Sequence, residues 1–193
     1  MNTRFLAPLA LLVATSACGG PAAEPPLAGA RIGGPFQLTD QNGQLRKDAD
    51  FAGKYRIMYF GYTYCPDVCP VDVANITAGL KAFEAKDSAR GGGIVPVFVT
   101  VDPKRDTPAA LKAFAGNFHP RLVALTGPQA TIDAVAKAHA VFVKRGTVQP
   151  GGGYLVDHSR ATYLMDPSGK PLALLPADEG GPQVAAVLDQ WVK

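Results

Sequence analysis

Two cysteines, Cys65 and Cys69, stand four positions apart in the stretch CPDVCP, and each is followed directly by a proline. Thiols so placed could close a structural disulfide, run a redox couple, or clamp a soft metal ion. A residue ahead of proline is pushed out of the α region. Both cysteines are therefore expected to be extended, with a helix opening at Pro70 and Cys69 at its N-cap. Unpaired N–H groups and the positive end of the helix dipole favour thiolate there, so the pKa of Cys69 is expected to fall. Thiolate serves disulfide exchange and metal binding alike, and electrostatics leave those two roles open. The intervening residues Pro66, Asp67 and Val68 make a wider loop than the two residues of thioredoxin-type redox motifs. A disulfide closing so short a loop would remove little chain entropy, which weighs against a mere staple.

Two thiolates are soft donors, which favours Cu(I) over hard ions such as Mg²⁺ or Ca²⁺. Structural zinc asks for four Cys or His ligands, and this chain struggles to supply them. Its histidines are His119, His139 and His158. His119 precedes Pro120 near a helix end, and His139 falls in the last turn of an expected helix, where an imidazole can meet the terminal carbonyls. Both read as structural or solvated. His158 lies in VDHS, between a glycine-rich stretch and an apolar strand, the kind of loop that carries function on a scaffold. Asp157 beside it either orients the ring or faces solvent. Met58 and Met165 lie in apolar strands and read as core.

The elements that must position these groups follow from periodicity. Gly34 to Leu45 alternates around an Asn-Gly pair, the mark of a β-hairpin. Lys54 to Tyr62 is apolar enough for a strand buried on both faces, and the cysteines lie just beyond its C-terminal end. Val71, Ile76, Leu80 and Phe83 then give the cysteine helix an apolar stripe. Ile94 to Val101 is the next strand, Thr107 before Pro108 starts a helix running to Phe118, and Asp102 and Asp106 read as turn-forming and capping residues. Further strands are expected at Leu122–Leu125, Val141–Lys144, Ala161–Met165 and Pro171–Leu175, with helices at Gln129–His139 and Pro182–Val192. Strands alternating with helices imply an α/β fold with a mostly parallel sheet, helices on both faces and an antiparallel end. A cysteine motif opening the first long helix of such a sheet is a thioredoxin-like arrangement.

The first residues, MNTRFLAPLALLVATSAC, have one Arg, an apolar run and then small residues, the layout of an export signal too short to span a bilayer as a mature helix. Thr15, Ser16 and Ala17 before Cys18 resemble a bacterial lipobox, with Thr15 where leucine is usual. Residues 1–17 are thus expected to be a signal peptide and Cys18 the lipidated N-terminus. Residues 18–31 are expected to form a flexible tether, and residues 32–193 the folded domain. The expected location is the bacterial periplasm, anchored to a membrane. With 193 residues, 47% of them apolar, the chain suits one domain with a real core. A formal charge of +3 with no basic block excludes a nucleic-acid-tracking surface.

FGYTYCPDVCP, VDPKRDTP and YLVDHSRATYLMDP resemble, in order and spacing, the three signature regions of the Sco/SenC family. The resemblance runs from about Ile32 to the C-terminus. It implies a thioredoxin-like, membrane-tethered copper protein that helps assemble the binuclear copper centre of cytochrome c oxidase. It further implies that Cys65, Cys69 and His158 are the copper ligands, for Cu(I), Cu(II) or both, with Asp157 as the acid beside the histidine. The expected partners are the copper-bearing oxidase subunit and another copper chaperone. Tyr64 departs from the family, in which many members carry histidine before the first cysteine. An alternative of another class is a thiol:disulfide oxidoreductase that reduces the oxidase subunit's cysteines before copper arrives, using Cys65 and Cys69 as a redox pair. A peroxidase on the same scaffold would need one activated peroxidatic cysteine instead of a pair.

Overall fold

The computed structural model describes residues 23–193. The expected signal peptide and Cys18 lie outside the described residues. Leu27, inside the stretch read as tether, packs against the core and donates its N–H to Leu172 O at 3.0 Å, so ordered contacts begin ahead of Ile32.

Along the chain the elements are β1 (Gln37–Asp40), β2 (Leu45–Lys47), a 3-10 turn (Asp48–Phe51), β3 (Tyr55–Gly61), α1 (Val68–Lys86), α2 (Ser88–Gly92), β4 (Ile94–Thr100) and α3 (Pro108–Ala115). They continue as β5 (Val123–Thr126), α4 (Gln129–Ala138), β6 (Val143–Arg145), β7 (Val156–His158), β8 (Thr162–Met165), β9 (Pro171–Leu174) and α5 (Gly181–Trp191). The main sheet has the order β2-β1-β5-β4-β3-β8-β9. Its centre, β3, β4 and β5, is parallel, while β8 joins β3 and β9 joins β8 antiparallel. The β1–β2 hairpin extends the other side through an antiparallel pairing with β5.

The centre of the sheet is buried because its strands are apolar at successive positions. Every residue of β4, and every residue of β3 after Tyr55, is buried, as strands covered on both faces must be. Neighbouring residues of β3 show the two covers, since side chains alternate along a strand. The Tyr59 hydroxyl reaches Asp72 of α1 at 3.0 Å, and the Tyr59 ring lies 6.1 Å from Phe98, which in turn meets Phe114 of α3 at 4.9 Å. Phe60, on the opposite face, meets His139 at the end of α4 at 5.1 Å. Helices α1 and α3 therefore cover one face and α4 the other. Helix α5 packs on α1 so closely that a Cβ on Gly79 would stand 2.6 Å from Val184 Cβ.

Met58 and Met165 are core residues as expected, and His139 caps α4 with its Nδ1 2.8 Å from Val135 O. His119 is buried against Glu84, its Nε2 3.3 Å from the carboxylate. Val71, expected on the buried stripe, is exposed; the stripe of α1 runs instead through Cys69, Val73, Ile76, Leu80 and Phe83.

Candidate metal centre

β3 ends at Gly61, and Tyr62 to Asp67 carry the chain from the C-terminal end of the parallel strands into α1. Gly61 is required by close approach, because a Cβ there would lie 3.1 Å from Cys69 Sγ and 2.8 Å from Tyr59 Cε1. Helix α1 begins earlier than the prolines imply. Asp67 holds the cap position, and Val68 and Cys69 are the first two helical residues. Pro70 thus falls in the first turn, where its missing N–H leaves no helical bond unmade, and that tolerance outweighs the bias against helix at Cys69.

This two-residue shift reverses the expected thiolate. Cys65 Sγ, at the helix mouth, accepts the N–H of Cys69 at 3.4 Å. Burial opposes charge on Cys65, but the N–H groups of Cys69, Asp67 and Val68 outweigh it and hold the thiol below its ordinary pKa. Cys69 is fully buried, and burial pushes it up to about 12. Both thiols are free.

His158 closes the group. It ends β7, which pairs with β6 as a separate two-stranded sheet, so VDHS is largely strand where a loop was expected. His158 Nε2 lies 3.2 Å from Cys69 Sγ, although the two residues are 89 apart in the chain. Its Nδ1 lies 3.0 Å from Ser159 O. A carbonyl only accepts, so Nδ1 carries the proton and the Nε2 lone pair faces Cys69. Burial, the largest influence, lowers the pKa of His158 and so favours the neutral ring. The orienting acceptor is Ser159 O, and Asp157 is exposed. The rings of Tyr59 and Tyr62 stand edge-on to the imidazole at 6.4 and 6.0 Å.

Among the described residues no three His, Cys, Asp or Glu side chains already stand in ligating geometry. Cys69 and His158 are in contact, while Cys65 is turned to the helix N-terminus. Cys65 and His158 line one open pocket together with Tyr62, Pro66 and Leu155, and the buried Cys69 joins them through its contact with His158.

Several positioning residues escaped the sequence reading. Asp106 is neither a cap nor exposed. Its fully buried carboxylate accepts from the N–H and hydroxyl of Thr63 at 3.0 and 2.6 Å and from the Thr100 hydroxyl at 2.6 Å, which ties the cysteine loop to the end of β4. Thr107 is the cap of α3. Asp102, also buried, accepts from Tyr154 Oη at 2.7 Å and pairs with Arg105, whose guanidinium lies 3.7 Å over the Tyr154 ring. The Tyr62 hydroxyl accepts from Val156 N at 3.3 Å. These bonds hold the β6–β7 hairpin, and hence His158, over the cysteine loop. Tyr64, in place of the family's histidine, is exposed, with Arg105 5.0 Å over its ring.

Fold and site together define a thioredoxin-like α/β protein that gathers two thiols and an imidazole at one end of its sheet. The chain belongs to the SCO1/SenC family, whose model matches residues 24–193. It is 40% identical over 140 residues to the mitochondrial protein SCO2 of Saccharomyces cerevisiae, a match spanning 72% of this chain and 46% of that one. The chain thus spans about half the length of that relative. Bradyrhizobium japonicum ScoI, solved with copper bound, is 38% identical, with a TM-score of 0.74 over 83% of this chain and 99% of its own. BsSco, described as a Sco-family cytochrome c oxidase assembly protein with a disulfide switch, is 26% identical, with a TM-score of 0.68 over 88% of this chain and 95% of its own.

Proposed function

We propose that this chain is a copper metallochaperone for the binuclear copper centre of cytochrome c oxidase, with Cys65, Cys69 and His158 holding the ion as cargo. The observation that carries the reading is the 3.2 Å contact between Cys69 Sγ and the unprotonated Nε2 of His158, with Cys65 at the same pocket. Two soft sulfurs and one neutral imidazole suit Cu(I), and the imidazole extends the set to Cu(II). Three ligands at an open pocket leave room for a partner's thiolate to enter before the others leave, which is what transfer by ligand exchange needs. The partners are the copper-bearing oxidase subunit as acceptor and a second copper chaperone as donor. Copper bound in Bradyrhizobium japonicum ScoI supports the cargo, and the oxidase-assembly role of BsSco supports the acceptor. The leader and Cys18 support a periplasmic protein held to the membrane by lipid.

A second reading rests on the unlike thiols. An accessible Cys65 of lowered pKa beside a buried, protonated Cys69 is the pairing that thiol exchange uses, as attacking and resolving sulfur. As a reductase the protein would use Cys65 and Cys69 and dispense with His158.

Copper titration of the reduced protein tests both. The wild type is expected to take up one equivalent tightly, with that binding lost in Cys65→Ser and Cys69→Ser and weakened in His158→Ala. Tight stoichiometric binding by the double cysteine variant would overturn the chaperone reading. Full copper binding by His158→Ala would turn the balance to the reductase.

A further inference from the structure

We propose that Arg160 is a positioning residue, a clasp that sets the contact between Cys69 and His158 through Asp72; the inference rests on the copper site proposed above. Cys69 and Asp72 lie three residues apart on α1, one turn on the same face, and both are fully buried. His158 and Arg160 lie two apart where β7 leads into β8. The two pairs meet as rungs of one ladder. Cys69 Sγ faces His158 Nε2 at 3.2 Å, and Asp72 accepts from Arg160 Nη2 at 2.5 Å and from Nε at 3.0 Å.

The second rung is the stiffer one. Asp72 is grasped by both arms of a guanidinium fork, a geometry that fixes direction as well as distance. Its Oδ2 also accepts from Tyr59 Oη at 3.0 Å, and the Tyr59 ring stands edge-on to His158. The loop of contacts Cys69, Asp72, Arg160, His158 is therefore closed through β3 as well. The first rung, a thiol against an imidazole nitrogen, is weak by itself and takes its length from the second. Among the hydrogen bonds of the described residues, Asp72 and Arg160 form the direct side-chain tie between α1 and the segment carrying His158 besides the Cys69 contact itself. Arg160 keeps 43% of its side chain exposed, so its replacement leaves no cavity, while the buried Asp72 carboxylate keeps Tyr59 as a donor and loses its cation.

The test reads the contact with and without copper. In reduced, copper-free protein a nuclear Overhauser contact between the His158 ring and the Cys69 β-protons is expected in the wild type, lost in Arg160→Ala and partly recovered in Arg160→Lys, which keeps the charge and lacks the fork. Copper affinity of Arg160→Ala is expected to fall about 10- to 100-fold, as for residues that orient metal ligands. Adding His158→Ala to Arg160→Ala should then lower it less than about twofold more, because the histidine has already left the site. A wild-type Overhauser contact in Arg160→Ala, or losses from the two substitutions that multiply, would overturn the clasp. If Arg160→Ala does not melt cooperatively, Arg160→Lys decides by the same readings. Failure of the wild type to take up copper would sink the chaperone reading, while the copper-free contact would still judge the clasp.

Discussion

At pH 7, iodoacetamide added to the reduced protein is expected to alkylate Cys65 at least about fiftyfold faster than Cys69. A thiol with a pKa of about 12 is thiolate in roughly one molecule in 10⁵ at that pH, whereas one held below the ordinary 9.0 exceeds roughly one in 10². The difference in thiolate exceeds about a thousandfold. The more basic sulfur is intrinsically the better nucleophile, which returns about twentyfold over three pKa units. Burial of Cys69 adds to the remainder, since reagent must reach it past Cys65 and His158. Timed alkylation followed by mass mapping of the two cysteine peptides measures the ratio. Equal rates would contradict the placement of Cys65 at the helix mouth. In either proposed role the consequence is the same, because the sulfur that first meets a partner is Cys65.

Replacing Asp106 by alanine is expected to cost about 2–3 kcal/mol at pH 7, the penalty for leaving buried donors unpaired. The donors are the N–H and hydroxyl of Thr63 and the hydroxyl of Thr100. For a domain of this size the loss corresponds to a fall in Tm of about 4–12 °C. The pH dependence has a definite sign. Burial, the largest influence on Asp106, raises its pKa against the opposing hydrogen bonds from Thr100 and Thr63. The fold therefore favours the protonated acid. Its stabilisation is fullest below the unfolded value of about 3.9 and declines as pH rises through the higher folded value. The gap between wild type and Asp106→Ala should accordingly widen in acid, as thermal melts at pH 7 and pH 4 would record. A variant melting within about 2 °C of wild type at both would show that the carboxylate does not hold the cysteine loop.

Much of this architecture is legible in the sequence. β3 and β4 announce themselves because strands covered on both faces must be apolar at successive positions, and α1 because its stripe repeats over four turns. β7 leaves no such mark: Val156, Asp157 and His158 are too few to show an alternation, and a strand that pairs with β6 alone has no apolar run. Cys69 lies inside the helix and not at its cap because the bias of a residue before proline is a preference, and the first turn of a helix is where it is most cheaply overridden. Asp102 and Asp106 look like turn and cap residues, and Asp72 gives no local signal, for another reason. Asp106 bonds a residue 43 positions away, Asp102 one 52 away and Asp72 one 88 away, so local patterns show capable side chains without their partners. The cysteine pair was visible by spacing and His158 by its setting between glycines and a strand. That they meet depends on β3 and α1 lying beneath the β6–β7 hairpin.

The central claim is that one imidazole and two thiolates share one copper ion. X-ray absorption at the copper edge of the loaded wild type, set beside the His158→Ala variant, tests it most directly. Two sulfur neighbours and one imidazole nitrogen are expected in the wild type, with the nitrogen scattering gone in the variant. A sulfur-only site in the wild type, or a spectrum unchanged by His158→Ala, would contradict it.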